Sequence, residues 1–276
     1  VSPTYVVVPQ WQGSLSTRAM RLSDGADAIR GDLPASVTRS VVVPTEAGDA
    51  LNTGVDRYSA LLTVRERMAA ALDGVPDWAL AIGGDCGVSL AAVESASLRH
   101  PGDLAVVWFD AHADLHTPES SSSGAFTGMV LRAITGEGAD GLALGAAAVP
   151  LERVVLAGTR DLDPAEDALI AERGVVSLDA NAVASVDALV DAVRATGAGT
   201  VYVHIDLDVL DPAELQGLAN PVPFGLTVQA LTAAVTALRA QFGLAGATIA
   251  GFSPASPDAA DDDLSAILRL ISSLTR

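Results

Sequence analysis

The apolar runs of this chain are unbroken rather than alternating, and that limits its fold more than any other feature. Residues 5–8, 40–43, 78–82, 104–109, 153–157, 175–177, 200–205 and 248–252 are short and rich in β-branched side chains. A strand with one wet face alternates apolar and polar residues; a strand covered on both faces need not. Between the runs lie Ala/Leu-rich helical segments at 58–72, 87–98, 164–172, 186–194, 227–242 and 261–275. Thr227 is a fitting cap for its helix, and Asp163 followed by Pro164 reads as a cap with proline in the first turn. Strands alternating with helices predict an α/β chain with a parallel eight-stranded sheet. Residues 120–123 read as a short loop. With no linker in sight, residues 1–276 are expected to form one catalytic domain.

Composition narrows the partners. Thirty-four acidic residues against 16 basic ones give a net charge of −18. Nucleic acid and anionic membrane are therefore unsuitable partners. Every basic residue apart from histidine is arginine, so Schiff-base chemistry through a protein lysine is excluded. The single cysteine, Cys86, has no intrachain disulfide partner. No apolar stretch is long enough to span a bilayer, and the first residues lack a secretory pattern, so a cytoplasmic protein is expected.

Three apolar runs end in metal-ligand types. Residues 78–82 lead to Gly83-Gly-Asp-Cys86, 104–109 to Asp110-Ala-His112-Ala-Asp114, and 200–205 to Asp206-Leu-Asp208. In extended backbone, alternate residues share a face, which groups Asp110, His112 and Asp114 and, separately, Asp206 and Asp208. Sites in open α/β sheets form beyond the carboxyl ends of strands. Two carboxylate pairs and an imidazole there can hold two metal ions ~3.5–4 Å apart. Oxygen and imidazole ligands suit Mn²⁺, whereas the Cys86 thiolate is softer and suits Zn²⁺ or Cu⁺ better. His204 reads as structural, facing away from Asp206, and His100 as a surface residue.

These blocks resemble the arginase/agmatinase ureohydrolase family. The resemblance runs from the Gly-Gly-Asp block to Pro254 and implies a three-layer α/β/α sandwich. It also implies a manganese amidinohydrolase in which metal-activated water attacks a guanidinium carbon. Carried over, Cys86, Asp110, Asp114 and Asp206 would hold one Mn²⁺. Asp110, His112, Asp206 and Asp208 would hold the other. The ion on the Cys86 side is expected to be the weaker. Ser121, Ser123 and His116 fall where arginases hold the α-carboxylate of a free amino acid, and Asp163 and Glu166 where they hold its α-amino group. Read without the family, the same residues are a solvated loop and a helix cap.

Three positions depart from the arginase pattern, all around the reacting carbon. Cys86 replaces a histidine ligand, Thr127 a histidine proton carrier, and Gly251 the glutamate that pairs with the guanidinium. A hydroxyl on the terminal guanidine nitrogen would lower its basicity and reduce the need for a carboxylate partner. The pattern thus resembles the hydroxyarginine-hydrolysing branch of the family, which serves D-cycloserine biosynthesis. The expected reaction is Nω-hydroxy-L-arginine to L-ornithine and hydroxyurea. Asp114 would move the proton and Thr127 would orient, with Gly251 leaving room for the added oxygen. An ordinary arginase, or a binder of amino acids without catalysis, fits the same residues. The resemblance also allows a homo-oligomer.

Overall fold

The computed structural model describes residues 3–276. All eight strands pair in parallel: β1 (Thr4–Val8), β2 (Thr38–Ser40), β3 (Ala79–Gly83), β4 (Leu104–Phe109), β5 (Val154–Ala157), β6 (Val176–Leu178), β7 (Thr200–Asp206) and β8 (Gly243–Ala250). Their order across the sheet is β2-β1-β3-β8-β7-β4-β5-β6. The central strands are buried along their lengths, as unbroken apolar runs require.

Helices cover both faces. In chain order they are α1 (Arg21–Gly31), α2 (Tyr58–Leu72), α3 (Ser89–Arg99), α4 (Val130–Ile134), α5 (Pro164–Arg173), α6 (Ala180–Ala184), α7 (Asp187–Ala195), α8 (Val228–Gln241) and α9 (Pro257–Thr275). One core joins Val107, Phe109, Val203 and Ile205 to Ile29 of α1, Leu189 of α7, Leu231 of α8 and Ile267 of α9. The other joins Val106, Trp108 and Tyr202 to Met68 of α2, Val93 of α3 and Leu131 of α4. Neighbouring residues of one strand feed opposite cores, which makes three layers.

Several boundaries differ from those expected. β2 spans Thr38–Ser40, not 40–43, because its register is set by pairing with β1: Tyr5 lies opposite Thr38 and Val7 opposite Ser40. An edge strand needs little apolar content; Val41 is buried past its end, and Val42 is left exposed. β8 begins at Gly243, well before residue 248, in a glycine- and alanine-rich segment with weak strand propensity. Its small residues are demanded by packing, since a Cβ at Gly246 would sit 2.8 Å from the Tyr202 ring. α9 starts at Pro257, where Ser256 accepts from the Ala259 N–H. α1 has no counterpart among the helical segments expected from the sequence. Gly25 interrupts its apolar pattern, yet a Cβ there would lie 2.1 Å from the Phe252 carbonyl oxygen, so the helix docks through that gap.

The topology gathers the ligand-type blocks at one edge. β7 and β4 are neighbours, so Asp206 and Asp110 emerge side by side. β3 is separated from β7 by β8, so Cys86 reaches Asp206 only across the end of β8.

Candidate metal centre

Each block leaves its strand through a turn built by its own polar atoms. After β3, Asp85 accepts from the N–H groups of Gly87 and Gly13 (2.8 Å each) and from Gln10 Nε2 (2.7 Å). This buried clamp fixes the start of the helical turn that carries Cys86. After β4, Asp110 Oδ1 accepts from the His112 N–H at 2.7 Å. After β7, Asp206 Oδ1 accepts from the Asp208 N–H at 2.9 Å and caps the turn at Leu207–Val209. Neither segment is extended, as the face-sharing argument requires: Asp114 has φ +53° and Asp208 lies in the turn. The carboxylates still converge, because the turns bend them over the strand ends.

His112 Nδ1 lies 3.2 Å from both Asp110 Oδ1 and Asp208 Oδ2, and its Nε2 lies 3.7 Å from Asp161 Oδ2. Burial alone would lower the imidazole's pKa, but hydrogen bonds to Asp110 and Asp208 outweigh it and push the pKa up to about 12. Cys86 Sγ is 2.9 Å from Asp206 Oδ2 and 3.8 Å from Asp110 Oδ2. Burial, then the charges of Asp206, Asp114 and Asp110, push its thiol well up. Burial also raises Asp206 to about 7 and Asp208 to about 6, with repulsion from Asp208 adding to the first and from Asp110 to the second. Asp110 is raised by burial, and Asp114 well raised by burial and by Asp110.

This arrangement suits a divalent cation. Four buried aspartates share one cavity of about 160 Å³ with Cys86 and His112, and Asp114 Oδ2 has no hydrogen-bond partner. Packing such charges without a counter-charge is costly. Two ligand-type trios meet at Asp110: Asp110/His112/Asp208, all on the cavity lining, and Cys86/Asp110/His204, of which His204 is not part of the lining.

His204 corrects the sequence reading. It is two residues from Asp206, so the period of a strand puts both on one face, not on opposite faces. Its ring is buried and stacks on Trp108, opposite it on β4, with centroids 3.5 Å apart. Its Nε2 lies 3.9 Å from Asp110 Oδ2. His100 is half-buried at the C-terminal cap of α3, where its backbone N–H bonds Ala96.

The residues expected to meet the substrate, at its amino-acid end and at its guanidine end, are placed less uniformly. His116, Thr127 and Glu166 line the cavity, and Asn220, which the sequence reading overlooked, joins them. His116 Nε2 lies 3.0 Å from Asp163 Oδ2. Asp163 and Glu166 form a capping box on α5, and Glu166 also accepts from the Leu115 N–H at 3.1 Å. Ser121 and Ser123 lie outside the cavity lining and bond the N–H groups of Gly124 and Ala125. The serine that reaches His116 is Ser120, with Oγ 3.1 Å from Nδ1. Gly251 has φ +83°, and a Cβ there would fall 2.2 Å from Asp206 Oδ1. The backbone at Gly251 therefore lies directly against Asp206, and Gly251 does not line the cavity.

An N(omega)-hydroxy-L-arginine amidinohydrolase of Streptomyces lavendulae is 33% identical over 215 residues, covering 76% of this chain and 74% of that protein. An arginase of Staphylococcus aureus (strain MRSA252) is 29% identical over 208 residues, covering 72% of this chain and 67% of that protein. The crystal structure of Entamoeba histolytica arginase in complex with L-ornithine superposes with a TM-score of 0.85 at 20% identity, covering 99% of each chain. The profile of the Arginase family matches residues 17–275. By fold, by relatives and by this match, the chain belongs to the arginase family.

Proposed function

We propose that this arginase-family hydrolase is a binuclear manganese amidinohydrolase. Its substrate would be Nω-hydroxy-L-arginine, and its products L-ornithine and hydroxyurea, in a D-cycloserine-type antibiotic route. The observation that carries this reading is Gly251. Its positive φ and its contact with Asp206 leave no place for the carboxylate that would pair with a strongly basic guanidinium. The 33% identity to the Streptomyces lavendulae protein supports it independently. The whole chain is read as one catalytic domain acting on a small molecule in the cytoplasm. No helix among the described residues is long and apolar enough to cross a membrane.

Cys86, Asp110, Asp114 and Asp206 would hold one ion, and Asp110, His112, Asp206 and Asp208 the other. When bound, the ions supply the charge that makes water nucleophilic near neutral pH. Asp161 would steady the far nitrogen of the His112 ring. Water adds to the hydroxyguanidine carbon, and the bond from that carbon to the ornithine nitrogen breaks. Asp114, whose Oδ2 faces the site without a partner, accepts the proton of the water and passes it to that nitrogen. Thr127 has no suitable pKa for this and only orients. His116, Asp163 and Glu166 would receive the amino-acid end of the substrate.

Incubating the Mn²⁺-loaded enzyme with L-arginine and with Nω-hydroxy-L-arginine, and measuring ornithine, tests the reading. A higher kcat/KM for the hydroxylated substrate is expected. Faster turnover of arginine would make the chain an ordinary arginase. Amino-acid binding by calorimetry with no hydrolysis of either would make it a binder.

A further inference from the structure

His204 is a buried imidazole satisfied at only one nitrogen. Nδ1 meets Ser89 Oγ at 2.7 Å, while Nε2 has no hydrogen-bond partner. A histidine kept only for packing would be expected to bond at both ring nitrogens or to be replaced by an apolar residue. The free nitrogen points at the candidate centre. It lies 3.9 Å from Asp110 Oδ2, too far for a hydrogen bond. The ligating atoms of His204, Cys86 and Asp110 all lie within 4.8 Å of one another. The ring has little freedom to turn away, because it stacks on Trp108 at an interplanar angle of 12° and is anchored to Ser89 on α3. A ligating histidine is commonly held in this way, with its second nitrogen donating to an outer partner that fixes tautomer and orientation.

We propose that His204 Nε2 is a ligand of the Cys86-side metal and that this position selects Zn²⁺ over Mn²⁺. The inference rests on the metal centre proposed above and changes its character. With Cys86 alone, one soft donor stands among hard carboxylates, and a weak Mn²⁺ is expected. With His204 added, sulfur and imidazole act together on one ion, which favours Zn²⁺ over Mn²⁺. The Asp110/His112/Asp208 side keeps the harder donor set and its Mn²⁺. The centre is then a mixed pair, with Asp110 common to both positions.

The test uses the full chain stripped of metal and titrated with Zn²⁺ and Mn²⁺ by calorimetry, with Co²⁺ as a spectroscopic probe. One position should prefer Zn²⁺, and Co²⁺ there should show a thiolate charge-transfer band that Cys86→Ser removes. Ser89→Ala should weaken that position about 10–100-fold, and His204→Asn should weaken it further, both leaving the other position unchanged. Zn²⁺ binding by His204→Asn as tight as in the unsubstituted protein would overturn the assignment. If that variant does not fold, histidine NMR of the unsubstituted protein with Cd²⁺ decides. Metal-dependent shifts at both His112 and His204 support the assignment, and shifts at His112 alone refute it. Absence of guanidine hydrolysis with both positions filled would strike the hydroxyarginine reading and leave the ligand assignment standing.

Discussion

At the residue scale, the candidate centre is set by side chains whose ordinary charge states conflict with their burial. Burial and the neighbouring carboxylates push the Cys86 thiol and the Asp114 carboxyl well above their ordinary values, and burial raises Asp206 to about 7. Metal ligands must be deprotonated, so binding must expel protons. Metal affinity should therefore fall as pH drops from 8 to 6. Calorimetry in buffers of different ionisation enthalpy should show net proton release. A second test concerns Gly251. Gly251→Ala would strain a backbone at φ +83° and push on Asp206, costing about 1–3 kcal/mol. A lower Tm and weaker metal binding are expected. For the same reason Gly251→Glu should not confer efficient arginine hydrolysis, which assays on arginine would show.

At the element scale, α5 separates two roles carried by the same residues. Asp163 caps the helix through Oδ1 and faces His116 through Oδ2. Asparagine caps as well as aspartate but carries no charge, whereas alanine loses the cap at about 1 kcal/mol. Asp163→Asn should hold Tm nearly constant and raise KM if the residue binds an amino group. Unchanged KM would leave it a cap alone. The turn after β3 depends likewise on Asp85, which gathers three donors in a buried place. Asp85→Ala strands those donors and should cost about 2–4 kcal/mol, read as a drop in unfolding midpoint. Elements with strong local signals were legible in the sequence. α2 was expected at its observed limits, and both caps, Thr227 and Asp163, are present. α1 and the first half of β8 were not, because glycines chosen by contacts with Phe252 and Tyr202 hide their periodicity.

At the scale of the whole molecule, stability and site are linked through charge. A metal that binds only the folded chain should raise Tm with concentration, by about 2.7 kcal/mol at one hundred times Kd. A chelator should lower Tm, and thermal melts with and without Mn²⁺ or Zn²⁺ check this. The chain by itself determined the layered parallel sheet, because burial on both faces is written locally as unbroken apolar runs. It also determined which ligand types stand at which strand ends. Only the tertiary structure decided which of them meet. Cys86 reaches Asp206 across the end of β8, where Gly251, just past the strand, has no side chain. His204 joins Cys86 and Asp110 because β7 and β4 pair in a register that stacks it on Trp108, while α3 supplies Ser89. Strand order and register are long-range properties, and distances between side chains on different strands follow from nothing else.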